Sequence, residues 1–260
     1  MIRVWSTALL LLGLSACQTA SQTTELRLLS YNIHHGEGLD RRLDLLRLGA
    51  LIKKEGADLV ALQEVDHKTG RSLGIDQSAV LAQESGLNTA HFGKSIDFSG
   101  GGYGNALLQR WASPPAQIKI LPVSGEGRSL IHSRINVPGL GPSHLIGTHL
   151  DYKSPDGRRR QVEALLSYAA TLPGGEPAIL MGDFNAAPTS PEIRLILEAG
   201  WIDATAGLPA TSPADQPRER IDYIFIRPGN FTCQVLEAKV IEEKTASDHR
   251  PVFARIAVKP

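Results

Sequence analysis

Cysteine is scarce in this chain, two among 260 residues, so a framework built on disulfides is excluded. Charge of one sign is lacking too: 27 Lys and Arg stand against 27 Asp and Glu. A protein held on nucleic acid by bulk charge shows a basic excess, so that class is disfavoured, while a nuclease with a local basic cleft is not. Aromatic residues make up only 5%, which leaves no evident platform for stacking single strands and no wedge for membranes. Beyond the N-terminal leader no run is apolar enough to cross a bilayer as a helix. What is present is ordinary for a globular protein. With 42% apolar and 21% charged residues, the disordered, collagen-like and coiled-coil classes fall away. At about 150 residues per domain, the length predicts one or two domains.

The first residues carry a signal of their own. Arg3 gives a positive start, and Ala8 to Leu14 is an apolar stretch of signal-peptide length, too short to span a bilayer. It runs into Leu14-Ser15-Ala16-Cys17, which resembles the lipobox of bacterial lipoproteins. That resemblance implies a leader over 1–16 that is removed, a lipidated Cys17, and a polar tether over 17–25. Gln18 after the Cys, where relatives kept at the inner membrane carry Asp, implies an outer-membrane anchor. The expected location is the bacterial cell envelope, lipid-anchored, on its periplasmic or surface side. A plain secretory signal with an incidental Cys17 is the alternative. Cys233 is then without a partner in the chain, and its strand-like neighbours, with no adjacent His, argue against a catalytic thiol.

From 26 to 260 the pattern is that of one α/β domain with large sheets. Leu26 to Ile33 and Asp58 to Leu62 read as strands, and Phe231 to Val240 as a later one. Leu45, Leu48 and Ile52 mark one face of a helix, as do Val162, Leu165, Leu166 and Ala169. Ser190-Pro191-Glu192 is an N-cap, a first-turn Pro and an N-terminal acid, and Gly200 stops that helix. Residues 104–149 and 221–258 are successive strands without a helix, which points to antiparallel runs beside βα units. Ala204 to Gln216, rich in Ala, Thr and Pro, reads as a loop.

Polar residues recur where these strands end, the place where α/β enzymes build their sites. Asn32, Glu64, His149, Asp183 and Asn185 all sit there, and the C-terminal part adds Asp222, Asp248 and His249. Burying charge is costly unless it is paired or bound to a metal, so many acids and amides at strand ends point to one site holding a hard cation. The oxygen-rich set suits Mg²⁺ or Mn²⁺ better than zinc. Taken singly, each has a plainer reading: Glu64 a solvated acid, Asn32 an Asx turn, Asp183-Phe184-Asn185 a turn before the next helix.

The ordered segments SYNIHHG, LQEVD, YGNALL, THL, GDFNA, RIDYIF and SDHRPV resemble the motifs of the endonuclease/exonuclease/phosphatase superfamily, a match that runs from Ser30 to Pro251. The resemblance implies a four-layer α/β/β/α sandwich of the pancreatic-deoxyribonuclease type and a metal-dependent phosphoesterase. Its substrates would be phosphate esters in nucleic acid, phospholipid, sphingolipid or small molecules, as diester or monoester. Carried over by motif, Glu64 becomes the principal ligand of Mg²⁺ or Mn²⁺, with Asn32 nearby and Asp248 assisting. Asp183 and Asn185 handle the attacking water. His249 donates to a non-bridging phosphate oxygen or moves a proton, with Asp222 holding its other ring nitrogen. His149 is the leaving-group acid, and Tyr103 and Asn105, after Gly100-Gly101-Gly102, contact phosphate from a mobile loop at the cleft rim. The glycine run lacks the Gly-Lys-Ser/Thr ending of a Walker sequence.

Departures from the commoner pattern are His34-His35-Gly36 after Asn32, where His34 is a candidate for a second metal, and Gln109 in place of Ser. Arg158-Arg159-Arg160 is either a solvated helix start or a phosphate clamp. No protein partner is expected, and the protein should be a monomer. A catalytically inactive binding lipoprotein on the same fold is the alternative function.

The lipobox reading has a direct test. Each buried CH₂ contributes about 0.8 kcal/mol, so one acyl chain is marginal and the three of a mature bacterial lipoprotein anchor stably. Cys17→Ser should release the protein into the soluble periplasmic fraction or leave it unprocessed. A Cys17→Ser protein that is cleaved normally and still fractionates with membranes would refute it.

Overall fold

A strand that is apolar on both faces needs cover on both, and this chain supplies it with two facing sheets and helices outside them. The computed structural model describes residues 23–123 and 125–259, so the leader and Cys17 lie outside the described residues. In chain order the first half forms β1 (Thr24–Asn32), a single 3-10 turn (His34–Gly36), α1 (Leu45–Glu55), β2 (Leu59–His67), α2 (Gln77–Ser85), β3 (Thr89–Phe98) and β4 (Gly101–Gln109). Next come β5 (Gln117–Ile120), β6 (Ser129–Val137), β7 (Gly141–His149), α3 (Pro155–Ala170) and β8 (Ala178–Asp183). The chain closes with α4 (Pro191–Glu198), β9 (Ile202–Asp203), β10 (Asp222–Arg227), β11 (Thr232–Val240) and β12 (Val252–Lys259).

One sheet has the order β11-β12-β1-β2-β4-β3 and the other β5-β6-β7-β8-β10-β9. β1 with β2 and β7 with β8 pair in parallel, while their other neighbours are antiparallel, so both sheets are mixed. α1 and α2 cover the outer face of the first sheet over Leu29, Tyr31, Val60 and Leu62. α3 and α4 cover the second over Ile146, Leu180, Tyr223 and Phe225. A third core lies between the sheets, with Leu26, Leu28, Leu59, Ala61 and Leu107 facing Ile131, Leu145, Ile179, Met181 and Ile224. Gly147 lets the sheets approach, since a Cβ there would stand 2.9 Å from Leu107 Cδ2 and 3.2 Å from Ile131 Cγ2. The result is the four-layer α/β/β/α sandwich that the motifs implied.

Local chemistry explains the helix ends. Asp44 accepts from Arg47 N to cap α1, which stops at Gly56 with φ +63°. Ser190 caps α4 by accepting from Ile193 N, with Pro191 in its first turn. α2 and β3 escape the periodicity argument. α2 buries Gln77, Ser78, Ala82 and Ser85 beside Leu81, which leaves little apolar signal at helical spacing.

Three expectations need correction. Thr24 and Glu25, expected in the tether, pair with Val258 and Ala257 as the start of β1, because β12 offers them a ladder. Gly100-Gly101-Gly102 is not a mobile rim loop. Ser99 (φ +46°) and Gly100 (φ +79°) form a tight hairpin turn, and Gly101 and Gly102 already pair with Phe98 and Asp97. The strand carrying Glu64 does not end there but runs on to His67.

The inter-sheet core should dominate stability. Leu28, fully buried in it, should cost about 2–5 kcal/mol on Leu28→Ala in urea unfolding. Leu46→Ala, at a side chain 63% exposed on α1, should stay within about 0.5 kcal/mol of wild type.

Candidate active site

Side chains on a strand alternate between faces, and the inner rows of the central strands are mostly apolar until they reach one edge. On β1 the row Leu26, Leu28, Ser30 ends in Asn32; on β7, Leu145 and Gly147 lead to His149. On β8, Ile179 and Met181 lead to Asp183; on β10, read backwards, Ile226 and Ile224 lead to Asp222. Register makes these ends meet, with Asp183 opposite His149 on one side and Asp222 on the other. The loop before β12 brings His249 to them, tied down where Ser247 Oγ donates to Asn32 O at 2.7 Å.

Glu64 reaches the site by breaking the alternation. Its neighbours Val60 and Leu62 face the helices, and strict alternation would send Glu64 the same way. Between Leu62 and Val65 the register against β4 slips by one residue, and Glu64 is the extra residue, with φ +59°. A bulge of this kind re-aims a side chain, and a glutamate in the left-handed region is held there at a cost of about 1–3 kcal/mol. Asn32 Nδ2 donates to Glu64 Oε1 at 3.0 Å and to Asp183 Oδ2 at 3.1 Å, linking the two carboxylates, while its Oδ1 accepts from His34 N.

Asp183 Oδ2 is the hub. It stands 3.5 Å from His149 Nε2 and 3.7 Å from His249 Nε2, and Asp183 Oδ1 accepts from Asn185 N at 2.9 Å. Burial raises the Asp183 carboxyl well above the usual carboxylate range; the imidazolium of His249 opposes that and the Asp222 charge adds to it. His249 Nδ1–H donates to Asp222 Oδ2 at 3.0 Å. Burial alone would lower His249, but Asp222 and Asp183, with Asp248 beyond, outweigh it and hold the ring protonated. His149 goes the other way. Burial, then Arg128 and His249, keep it neutral, with Arg128 Nη1 at 3.3 Å from its Nδ1 and Asn185 Nδ2 at 3.1 Å from its Nε2.

These residues border a cleft of about 350 Å³. Glu64, Tyr103, His149, Asp183, Asn185, Asp248 and His249 line it, all read from the sequence as site residues. Asn32 and Asp222 are fully buried behind the wall. Asn105 does not reach the cleft: it is buried on β4, and its Nδ2 donates to Ser129 O at 3.0 Å. Arg128 and Glu126 line the cleft too and were not read from the sequence; Arg128 is 3% exposed and paired with Glu126 at 2.9 Å. The signal was weak, a lone Gly127-Arg128-Ser129 at a strand start. Arg158-Arg159-Arg160 is not part of the cleft. Arg158 pairs with Glu192 and Arg159 with Glu163 four residues on, while Arg160 is exposed on α3.

The donor set fits a divalent cation. Among the described residues neither Glu64 nor Asp248 is in an ion pair, yet both face the cleft half-buried beside Asp183. Two groups of three bring ligand atoms within 4.8 Å of one another: Asp183, Asp222 and His249, and separately His34, His35 and Glu64. In the first, the imidazole already bridges the two carboxylates as their countercharge.

Known proteins resemble this one across nearly its whole length. The family model described as "Endonuclease/Exonuclease/phosphatase family" matches residues 29–249. The uncharacterized protein YbhP of Escherichia coli (strain K12) is 28% identical over 257 residues, covering 91% of this chain and 98% of that one. The endonuclease/exonuclease/phosphatase structure from Beutenbergia cavernae DSM 12333 superposes with a TM-score of 0.76 at 26% identity, over 89% of this chain and 71% of that one. In fold alone, the chain is similar to the mannosyl-6-phosphatase of Bacteroides thetaiotaomicron VPI-5482, with a TM-score of 0.72 at 17% identity over 89% of this chain and 99% of that one. With the motifs in order, the sandwich in place and the family model matched from Leu29 to His249, the chain belongs to the endonuclease/exonuclease/phosphatase family.

Proposed function

We propose that the protein is a Mg²⁺- or Mn²⁺-dependent hydrolase of soluble phosphate esters, working by in-line attack of water. The observation that carries this reading is Asp183 Oδ2, flanked at 3.5 and 3.7 Å by the imidazoles of His149 and His249 and joined through Asn32 to Glu64. A carboxylate whose proton affinity is raised toward neutrality can take a proton from water, and Asn185 N and Asn32 fix its direction. His249, kept protonated by Asp222, offers its Nε2–H to a phosphate oxygen in the cleft. Neutral His149, its Nδ1 accepting from Arg128, serves as an orienting group rather than as an imidazolium acid, and Arg128, paired with Glu126, adds a guanidinium to the cleft wall. Glu64 and Asp248, with Asn32 behind Glu64, would hold the divalent ion, which supplies charge to offset that developing on phosphate.

The course of β1 favours a soluble substrate. The strand starts at Thr24 and reaches the cleft at Asn32, eight residues on, a span of about 26 Å at about 3.3 Å per residue. The first described residues therefore lie far from the cleft, which favours a substrate that diffuses in over a headgroup held beside an N-terminal anchor.

The test is hydrolysis by the purified protein, stripped of metal and resupplied with Mg²⁺ or Mn²⁺. Soluble bis-p-nitrophenyl phosphate and p-nitrophenyl phosphate are set against phospholipid vesicles, with plasmid DNA and RNA alongside. Turnover of soluble esters that stops in chelator and returns with metal supports the reading. Full activity in excess chelator refutes the metal; no product from any ester leaves a binding protein on the same fold. Glu64→Gln should lose more than about 100-fold in turnover, since changes to a ligand's own partners already cost about 10–100-fold.

Asp222→Asn removes the charge that holds His249 protonated. Turnover should fall by about 10²–10⁴ while KM changes little, as expected of a group used in proton handling. The alkaline limb of the pH profile should move to lower pH, because a ring with less negative charge beside it loses its proton sooner. Combined with His249→Ala, Asp222→Asn should add almost nothing; two additive losses would show that the residues do not act as a pair.

A further inference from the structure

We infer that His34, His35 and Glu64 form a second cation site, suited to a transition metal such as Zn²⁺ rather than to Mg²⁺. Adjacent side chains diverge, by opposite faces in a strand and by about 100° in a helix, so two consecutive residues rarely serve one ion. Here the backbone removes that obstacle. His34 and His35 both lie in the left-handed region, each with φ +45°, and their rings sit 4.4 Å apart between centroids. Each of the three residues can place one ligand atom so that all lie within 4.8 Å of one another.

The surroundings hold the turn in this form. Gln77 is fully buried, and its Nε2 donates to His35 O at 2.7 Å, while Gly36 N donates to Ile33 O at 2.8 Å. His34 Nδ1–H donates to Glu37 O at 3.0 Å. A carbonyl accepts only, so this bond fixes the tautomer and leaves the Nε2 lone pair for a metal, the usual arrangement behind a metal-bound histidine. Glu64 Oε1 is taken by Asn32, which leaves its second oxygen for the ion. Arg71, whose charge acts on His35, is neutralised by Asp66 at 2.8 and 2.9 Å. Two imidazoles and one carboxylate are a zinc-type set with room for a further ligand, whereas Mg²⁺ favours oxygen alone. Glu64 would be shared with the ion of the proposed function, and the inference rests on that reading only in this sharing.

The test is zinc binding by the full chain, stripped of metal and titrated by calorimetry in excess Mg²⁺, with Co²⁺ absorption as a second readout. Wild type should take up one Zn²⁺ and give the visible bands of imidazole-bound Co²⁺. The double variant His34→Asn with His35→Asn keeps residues that tolerate the left-handed backbone. It should bind Zn²⁺ at least about tenfold more weakly, as should Glu64→Gln. A folded double variant that binds like wild type, or a wild type that takes up no Zn²⁺ in excess Mg²⁺, overturns the site. If the double variant does not fold, His34→Asn alone must lose the Co²⁺ bands; bands that persist in it overturn the site equally. Zinc uptake without phosphoester hydrolysis would count against the proposed function alone, and Mg²⁺-dependent hydrolysis without zinc uptake against this site alone.

Discussion

Strand side chains alternate in direction, so two sheets packed face to face must fill the space between them from every second residue alone. That constraint organises this molecule twice over. Along most of each central strand the inner positions are Leu, Ile, Met, Ala or Gly, and their burial holds the layers together. At one edge the same positions become Asn32, His149, Asp183 and Asp222, and the parity that packs the core delivers these groups to a common point. A one-residue slip in β8 would expose Asp183 to the helix layer and withdraw it from both histidines, so register and chemistry cannot vary independently.

Where alternation does not deliver a residue, strain does. Glu64, Asn185, His34 and His35 are non-glycine residues at positive φ, and all four border or adjoin the cleft. Each conformation costs free energy that the surrounding layers must offset. For Glu64 the reason is visible, because the bulge turns its carboxylate from the helices to the cleft. For Asn185 the turn lets its backbone N–H reach Asp183 Oδ1, only two residues back, and so aim the carboxylate.

Much of the site was legible because its residues end strands whose apolar rows are easy to see: Leu28 before Asn32, Met181 before Asp183, Ile224 after Asp222. The helices with strong caps and wide apolar faces, α1, α3 and α4, were legible for the same reason. α2 and β3 were not. α2 packs through small and polar residues, and β3 lies at the sheet edge with most positions half-buried, so neither shows a clean period. Arg128 was invisible because nothing local marks a buried arginine; its meaning comes from His149, 21 residues away in sequence and 3.3 Å away in space. Asn105 illustrates the converse, a residue in a motif whose side chain turns to Ser129 instead of the cleft. A motif fixes position along the chain, and only packing decides which way the side chain faces.

The two histidines show how position sets chemistry for one residue type. Both rings are buried, and burial alone would leave both neutral. His249 lies between Asp222 and Asp183, and their combined charge reverses the effect of burial. His149 also stands 3.5 Å from Asp183, but burial, with Arg128 on its far side and the charged His249 nearby acting in the same direction, keeps it neutral. The pattern is self-consistent, because charging one ring disfavours charging the other. Two buried carboxylates, Asp183 and Asp222, face one imidazolium, and the proton affinity of Asp183 is raised by its burial and by the Asp222 charge. A substrate phosphate adds negative charge at this point. Under the proposed function Arg128, itself paired with Glu126, offsets part of it, and the carboxylates of Glu64 and Asp248, which form no ion pair among the described residues, would hold a cation that offsets the rest.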